Sequence, residues 1–124
     1  MSNEYDLYHG TKGDNILSII NDGLMRPDAG HKVYFSERLE DSLQHGGDLK
    51  RKATFAFKAR ITVPSGASLA RVATPGNCLA VLITTAIPLP AKLIELYVRL
   101  PREHEVKIIR GVETIKAYLL RASS

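Results

Sequence analysis

The stretch from Thr54 to Val63 limits the fold more than any other part of the chain. Phe55, Phe57, Ala59, Ile61 and Val63 recur every second residue, while Thr54, Lys58, Arg60 and Thr62 fall between them. That period separates an apolar face from a polar one, so the segment is a half-buried strand needing a core beneath it. Pro64-Ser65-Gly66 then turns the chain. A length of 124 residues, 44% of them hydrophobic, supplies that core in a single domain spanning 1–124 and is too short for two.

Other segments follow by the same reasoning. Tyr5 to His9 reads as a first strand, buried at Leu7 and Tyr8, and 10–14 as a turn. Asp14 or Asn15 caps a helix whose Ile16, Leu17, Ile19, Ile20 and Leu24 form one apolar face, with Gly23 as its left-handed C-cap. A polar loop, Arg26 to Lys32, leads to a short strand at Val33-Tyr34-Phe35. Ser36 is placed to cap a second helix carrying Leu39 and Leu43, ended by His45-Gly46-Gly47. After a turn at Pro75-Gly76-Asn77, Leu79 to Thr84 reads as a strand covered on both faces. Ile94 to Leu100 alternates as another, and Glu105 to Arg110 as the last. Val112, Ile115, Tyr118 and Leu119 mark a closing helix. Helices early and strands late, without βαβ alternation, give an expected α+β class with a mostly antiparallel sheet.

Composition excludes several settings. Net charge of +4 with so many apolar residues argues against disorder. No stretch approaches the roughly 18 apolar residues of a membrane helix, and the polar, acidic Met1 to Asp6 is no signal peptide. One cysteine, Cys78, can form neither an internal disulfide nor a cysteine-based zinc site. The expected setting is the cytoplasm, without a membrane partner; export by a route lacking a cleavable signal stays open. The cationic run Lys50-Arg51-Lys52, with Lys58 and Arg60, is either a solvated surface or one that meets phosphate. GxGxxG, GxxxxGK[ST] and HExxH are absent, and the four histidines lack metal-ligand spacing, so no metal is expected.

What stays is a pair of polar insertions in apolar strands, His9-Gly10-Thr11 and Tyr34-Phe35-Ser36. A histidine at a strand end followed by glycine sets an imidazole beside backbone that a ligand can approach closely. On the residues alone, His9 reads first as a core histidine satisfied by a neighbour, and Tyr34 as a core aromatic.

Together these segments resemble the catalytic core of the diphtheria-toxin-like ADP-ribosyltransferases, the group that includes the poly(ADP-ribose) polymerases. The likeness runs through His9-Gly10-Thr11, the helix from Asn15 to Gly23-Leu24, Tyr34-Phe35-Ser36, and Ser42 eight residues after Tyr34. His45 stands where the family carries an aromatic residue. Glu105, opening a late strand that runs into a terminal helix, matches the family's catalytic glutamate, with Glu103 as the alternative. The resemblance implies an ADP-ribosyltransferase fold, a split antiparallel core with short peripheral helices. It also implies NAD as co-substrate, without metal, and transfer of one ADP-ribose to a protein or nucleic acid. A toxin or effector role, with an antitoxin or immunity partner, would follow.

In that scheme His9 bonds the adenosine ribose and the Gly10 backbone holds the nicotinamide carboxamide, with Thr11 and Asn15 beside them. Ser42 adds a further bond to the carboxamide. Tyr34 lies on the nicotinamide ring, and His45 forms a second wall. Glu105 stabilises the oxocarbenium-like transition state. Three rivals stand beside it. One is an NAD-dependent RNA 2′-phosphotransferase, resembled by Leu7 to Leu24, Asn77, Leu79 to Thr84 and Ile87 to Ile94, although those enzymes carry His where Tyr34 stands. The others are an NAD glycohydrolase and a non-catalytic nucleotide-binding module.

Overall fold

A computed structural model describes residues 3–11, 13–39, 54–74, 78–100 and 105–122. Their elements run β1 (Asn3–Gly10), α1 (Gly13–Asp22), β2 (Leu24–Met25), β3 (Lys32–Ser36), β4 (Thr54–Val63), β5 (Ser68–Thr74), β6 (Cys78–Thr84), β7 (Leu89–Arg99), β8 (Lys107–Arg110) and α2 (Val112–Ala122). The strands form one sheet in the order β2-β7-β4-β1-β3-β6-β5, with β8 also on β7, and every pairing is antiparallel.

The alternating strand is β4, between β1 and β7. Phe57, Ala59 and Ile61 on its apolar face are wholly buried. The register aligns His9, Phe57, Leu96 and Ile109 across four strands, and α1 and α2 contribute Ile16, Ile115 and Leu119 to the same core. Each such side chain removed from water contributes about 1.5–3 kcal/mol, which holds two short helices against the sheet. Gly23 ends α1 as its sequence implies, at φ 68°, and its N–H donates to the Ile19 carbonyl at 2.7 Å.

The expected α+β class, with an ADP-ribosyltransferase fold, is overturned. Among the described residues 55% are strand and 21% helix, in a single open antiparallel sheet with two helices. The difference lies in segments without a clear period. Residues 68–74 alternate only weakly, through small Ala70 and Ala73, yet they form β5 against β6 along its whole length. Pro88 and Pro90 flank Leu89, yet β7 starts there. Pro90 faces the two-residue β2, pairing with Leu24, and full pairing with β4 begins only at Ala91.

Smaller corrections follow from tertiary contacts. A register shift between Lys58 and Ala59 sets Lys58 opposite Glu95 and Ala59 opposite Leu93, so Leu93 rather than Ile94 enters the core. Leu100 lies beyond β7 and is exposed. The helix begins at Gly13, so Asp14 and Asn15 lie inside it; Asn15 instead donates from Nδ2 to the Thr11 hydroxyl at 2.9 Å. Leu82 of β6 is only half-buried, so that strand is not covered on both faces. Glu105 and Val106 precede β8 rather than belonging to it. Ser36 ends β3; the expected helix after it lies outside the described residues from position 40 onward, as does the turn at 75–77. No described helix is long and apolar enough to cross a membrane.

Candidate functional site

The sheet is nearly cut in two between β1 and β3. These strands pair at one position, Tyr8 with Ser36, and separate on either side of it. Hydrogen-bond parity shows what that separation leaves. Thr11 N–H donates to the Phe55 carbonyl, so the odd-numbered residues of β1 turn their backbone groups toward β4 and the even-numbered ones toward β3. Thr85 N–H donates to the His31 carbonyl, which by the same rule directs the even-numbered residues of β3 toward β1. Beyond the Tyr8–Ser36 bridge, the next cross-strand pair would be Gly10 with Tyr34.

That pair does not form, and His9 takes its place. The His9 Nδ1 donates to the Tyr34 carbonyl at 2.7 Å, occupying the acceptor that Gly10 N–H would meet in a continued ladder. The Gly10 N–H and C=O and the Tyr34 N–H therefore face the opening between the strands. The imidazole is held from behind by Phe35 and Phe57, each with its ring centroid 5.5 Å away. Both sequence readings of His9 thus hold a share: it is half-buried among aromatics, and it also lines a cleft.

The cleft has a volume of about 460 Å³. His9 and Thr11 from the end of β1 line it, with Asn15, Ser18 and Ile19 on α1, Leu24 and Met25 of β2, and Val33 and Tyr34 of β3. Arg26, Asp28 and Lys32 complete it at the far end. Tyr34 is 46% exposed, leaving much of an aromatic ring open for a large side chain in a strand. Four residues singled out from sequence, His9, Thr11, Asn15 and Tyr34, therefore share one cleft, and Gly10 lies between two of its lining residues.

Glu105 is not among the lining residues. It is exposed, just before β8, and β8 is separated from β1 by β4 and β7. The register sets Ile108 of β8 level with Gly10, roughly 14 Å away across three strand spacings, and Glu105 lies three residues further along and so farther still. Ser42, His45, Glu103, Arg51 and Lys52 lie outside the described residues. Of the other expected surface cations, Arg60 is paired with Asp6 at 3.0 Å, and the Lys58 ammonium sits 6.0 Å from the centre of the Tyr8 ring. Among the described residues no group of three His, Cys, Asp or Glu side chains could hold a metal ion. Lys32 and Ser18 were missed in sequence; the available signal was Lys32 two residues before Tyr34, on the same face of a strand.

The face of the sheet that Tyr8 shares with Tyr34, away from His9 and Phe57, carries a second polar cluster, with the Tyr8 and Tyr97 rings 5.8 Å apart. Tyr97, buried, donates from its hydroxyl to Glu95 at 2.7 Å, and Arg110 lies 3.5 Å from the same carboxylate. The Tyr97 bond, aided by Arg110, holds the Glu95 carboxyl below its ordinary value of 4.5. Burial, then Glu95, pushes the Tyr97 hydroxyl well above 10.0. A lowered carboxyl stabilises the fold above about pH 4.5 and loses that contribution as pH falls; a raised phenol stabilises it below about pH 10 and loses it above. Urea midpoints followed from acid to alkaline pH should therefore fall at both ends. In Tyr97→Phe the alkaline fall should disappear and the acid fall should become shallower, with Asp6 and Arg60 sustaining the remainder. An unchanged alkaline limb in the variant would remove Tyr97 from this account.

No family model, curated protein or solved structure matches the chain.

Proposed function

We propose that the cleft binds NAD and that the protein is an NAD-dependent mono-ADP-ribosyltransferase acting on a protein or nucleic-acid acceptor. The observation that carries this reading is the opened ladder at Gly10 and Tyr34, beside the exposed Tyr34 ring. A primary carboxamide has one acceptor and two donor positions in a plane. Gly10 offers the complementary N–H and C=O on adjacent backbone, and Tyr34 offers a flat surface for the ring attached to that amide. Nicotinamide carries both features, and its positive charge in NAD adds cation–π attraction to the stacking.

His9 fixes this arrangement and turns its ring edge to a ribose hydroxyl, while Thr11 and Asn15 form the polar floor. In the reaction the nicotinamide–ribose bond breaks and its electron pair leaves with nicotinamide. The acceptor's nucleophilic atom bonds the ribose C1′ and gives its proton to a base. A carboxylate stabilises the positive charge that develops on the ribose, an interaction made chiefly in the transition state. Glu105 is assigned that role by the sequence resemblance alone, since it lies outside the cleft lining.

The test is incubation of the protein and of Glu105→Gln with NAD labelled in its adenine half, in a cell lysate later split by nuclease and protease. Label bound to protein or nucleic acid, and lost at least a hundredfold in the variant while NAD affinity stays within twofold, is the expected result. Free labelled ADP-ribose alone would mean that water is the acceptor and the protein is a glycohydrolase. Full activity in Glu105→Gln would remove Glu105 and turn attention to Glu103. Intact NAD in every fraction would overturn the transferase reading and favour a binding module.

A further inference from the structure

We infer that Lys32 makes the cleft selective for phosphorylated ligands, binding the phosphate next to the ring that lies on Tyr34. The inference rests on the NAD reading of the cleft and adds a specificity residue to it. Lys32 and Tyr34 are both exposed, on the same face of β3, with buried Val33 between them. Their positions are about 7 Å apart, two residues of strand rise. That separation matches the distance from a nucleotide's ring to its 5′ phosphate. A ring on Tyr34 whose amide meets Gly10 therefore extends its ribose phosphate along β3, toward Lys32.

The charges at this end of the cleft leave Lys32 as the cation for that phosphate. Arg26 is engaged at 2.6 Å by Asp22, one helical turn earlier in sequence. Asp28, the acidic residue of the lining, directs Oδ1 to the N–H groups of Gly30 and of Lys32, at 2.9 and 3.1 Å. Among the described residues no carboxylate pairs with the Lys32 ammonium.

The turn before Lys32 is also tightly tied. His31 N–H donates to the Asp28 carbonyl, Asp28 N–H to the Lys32 carbonyl, and Thr85 N–H to the His31 carbonyl. These bonds hold His31 at φ 62°, in the left-handed region that a non-glycine residue seldom adopts. Such strain persists where the surroundings over-determine it, and here it fixes the start of β3 from which Lys32 projects. A lysine on a braced strand end meets a phosphate with less ordering cost than one on a free loop.

The experiment is calorimetric titration of the whole chain with NAD, nicotinamide mononucleotide and nicotinamide riboside, repeated for Lys32→Gln and Lys32→Arg. Mononucleotide and riboside differ only by the phosphate. The expected result is at least tenfold tighter binding of the mononucleotide than of the riboside. That preference should shrink below threefold in Lys32→Gln, survive in Lys32→Arg, and weaken as salt is raised. Lys32 is exposed, so both variants should melt with the parent, and a melting curve checks this. Binding of NAD and mononucleotide that is unchanged in Lys32→Gln would overturn the role of Lys32 and leave the NAD reading standing. No binding of any of the three ligands to the parent would overturn both.

Discussion

Phe57→Ala should destabilise the protein by about 3–5 kcal/mol, the usual cost of removing a fully buried ring from a core that cannot collapse around the gap. Phe57 is wholly buried near the middle of β4, between His9 on β1 and Leu96 on β7, and it touches the His9 imidazole. A domain of this size has a total stability of about 5–15 kcal/mol, so the variant should be partly unfolded at modest temperature, with a melting point lower by about 10–20 °C. Ile108→Ala is the matched control. Ile108 is 46% exposed on β8, and its loss should change stability by no more than about 0.5 kcal/mol. Equal effects in the two variants would mean that the core is not centred on β4. At temperatures where Phe57→Ala stays folded, its ligand affinity should also fall, because one of the two rings bracing His9 is gone.

His9→Ala should lower NAD affinity at least tenfold, or about 1.4 kcal/mol, while costing only about 0.5–1.5 kcal/mol of stability. The two effects separate because His9 acts on the shape of the opening. With its Nδ1 removed, the Tyr34 carbonyl is released to accept Gly10 N–H, and β1 and β3 can close by one further pair. That closure offsets part of the lost hydrogen bond and at the same time consumes the backbone groups a carboxamide would use. His9→Phe separates packing from hydrogen bonding: it retains contact with Phe35 and Phe57 but cannot donate, and it should bind NAD as weakly as His9→Ala. Amide hydrogen exchange reads the same event directly, since Gly10 N–H should exchange more slowly in His9→Ala than in the parent. Unchanged affinity and unchanged exchange would together count against the opened ladder as the ligand site.

Much of the secondary structure was legible because it depends on local periodicity. The alternation in Phe55 to Val63 can be satisfied only by a strand, and Ile16, Ile19 and Ile20 followed by Gly23 only by a short capped helix. Residues 112–122 were readable for the same reason, with Ile115 and Leu119 spaced to bury one side of a helix. Ser68 to Thr74 was not readable. Its alanines carry little period-two signal, and it becomes a strand by completing hydrogen bonds along the open edge of β6. Pro90 is tolerated in β7 for a related reason. Proline lacks an amide hydrogen, which breaks a central strand but costs little where only the short β2 lies alongside.

Local sequence made plain which residue types were available to a site: an imidazole and a glycine at one strand end, a tyrosine in another strand, and a lysine two positions before it. It also determined the central strand and both described helices, because each buries a face its own spacing defines. The meeting of β1 and β3 at Tyr8 and Ser36, and their parting beyond it, came only with assembly of the sheet. That single register turns residues 9 and 34, far apart in sequence, into donor and acceptor, and leaves the Gly10 backbone facing a cleft. Local propensity carries no term for a pairing that fails to form. At the opening the His9 side chain, and not the Gly10 amide, meets the Tyr34 carbonyl, and the two can meet only once the sheet has assembled.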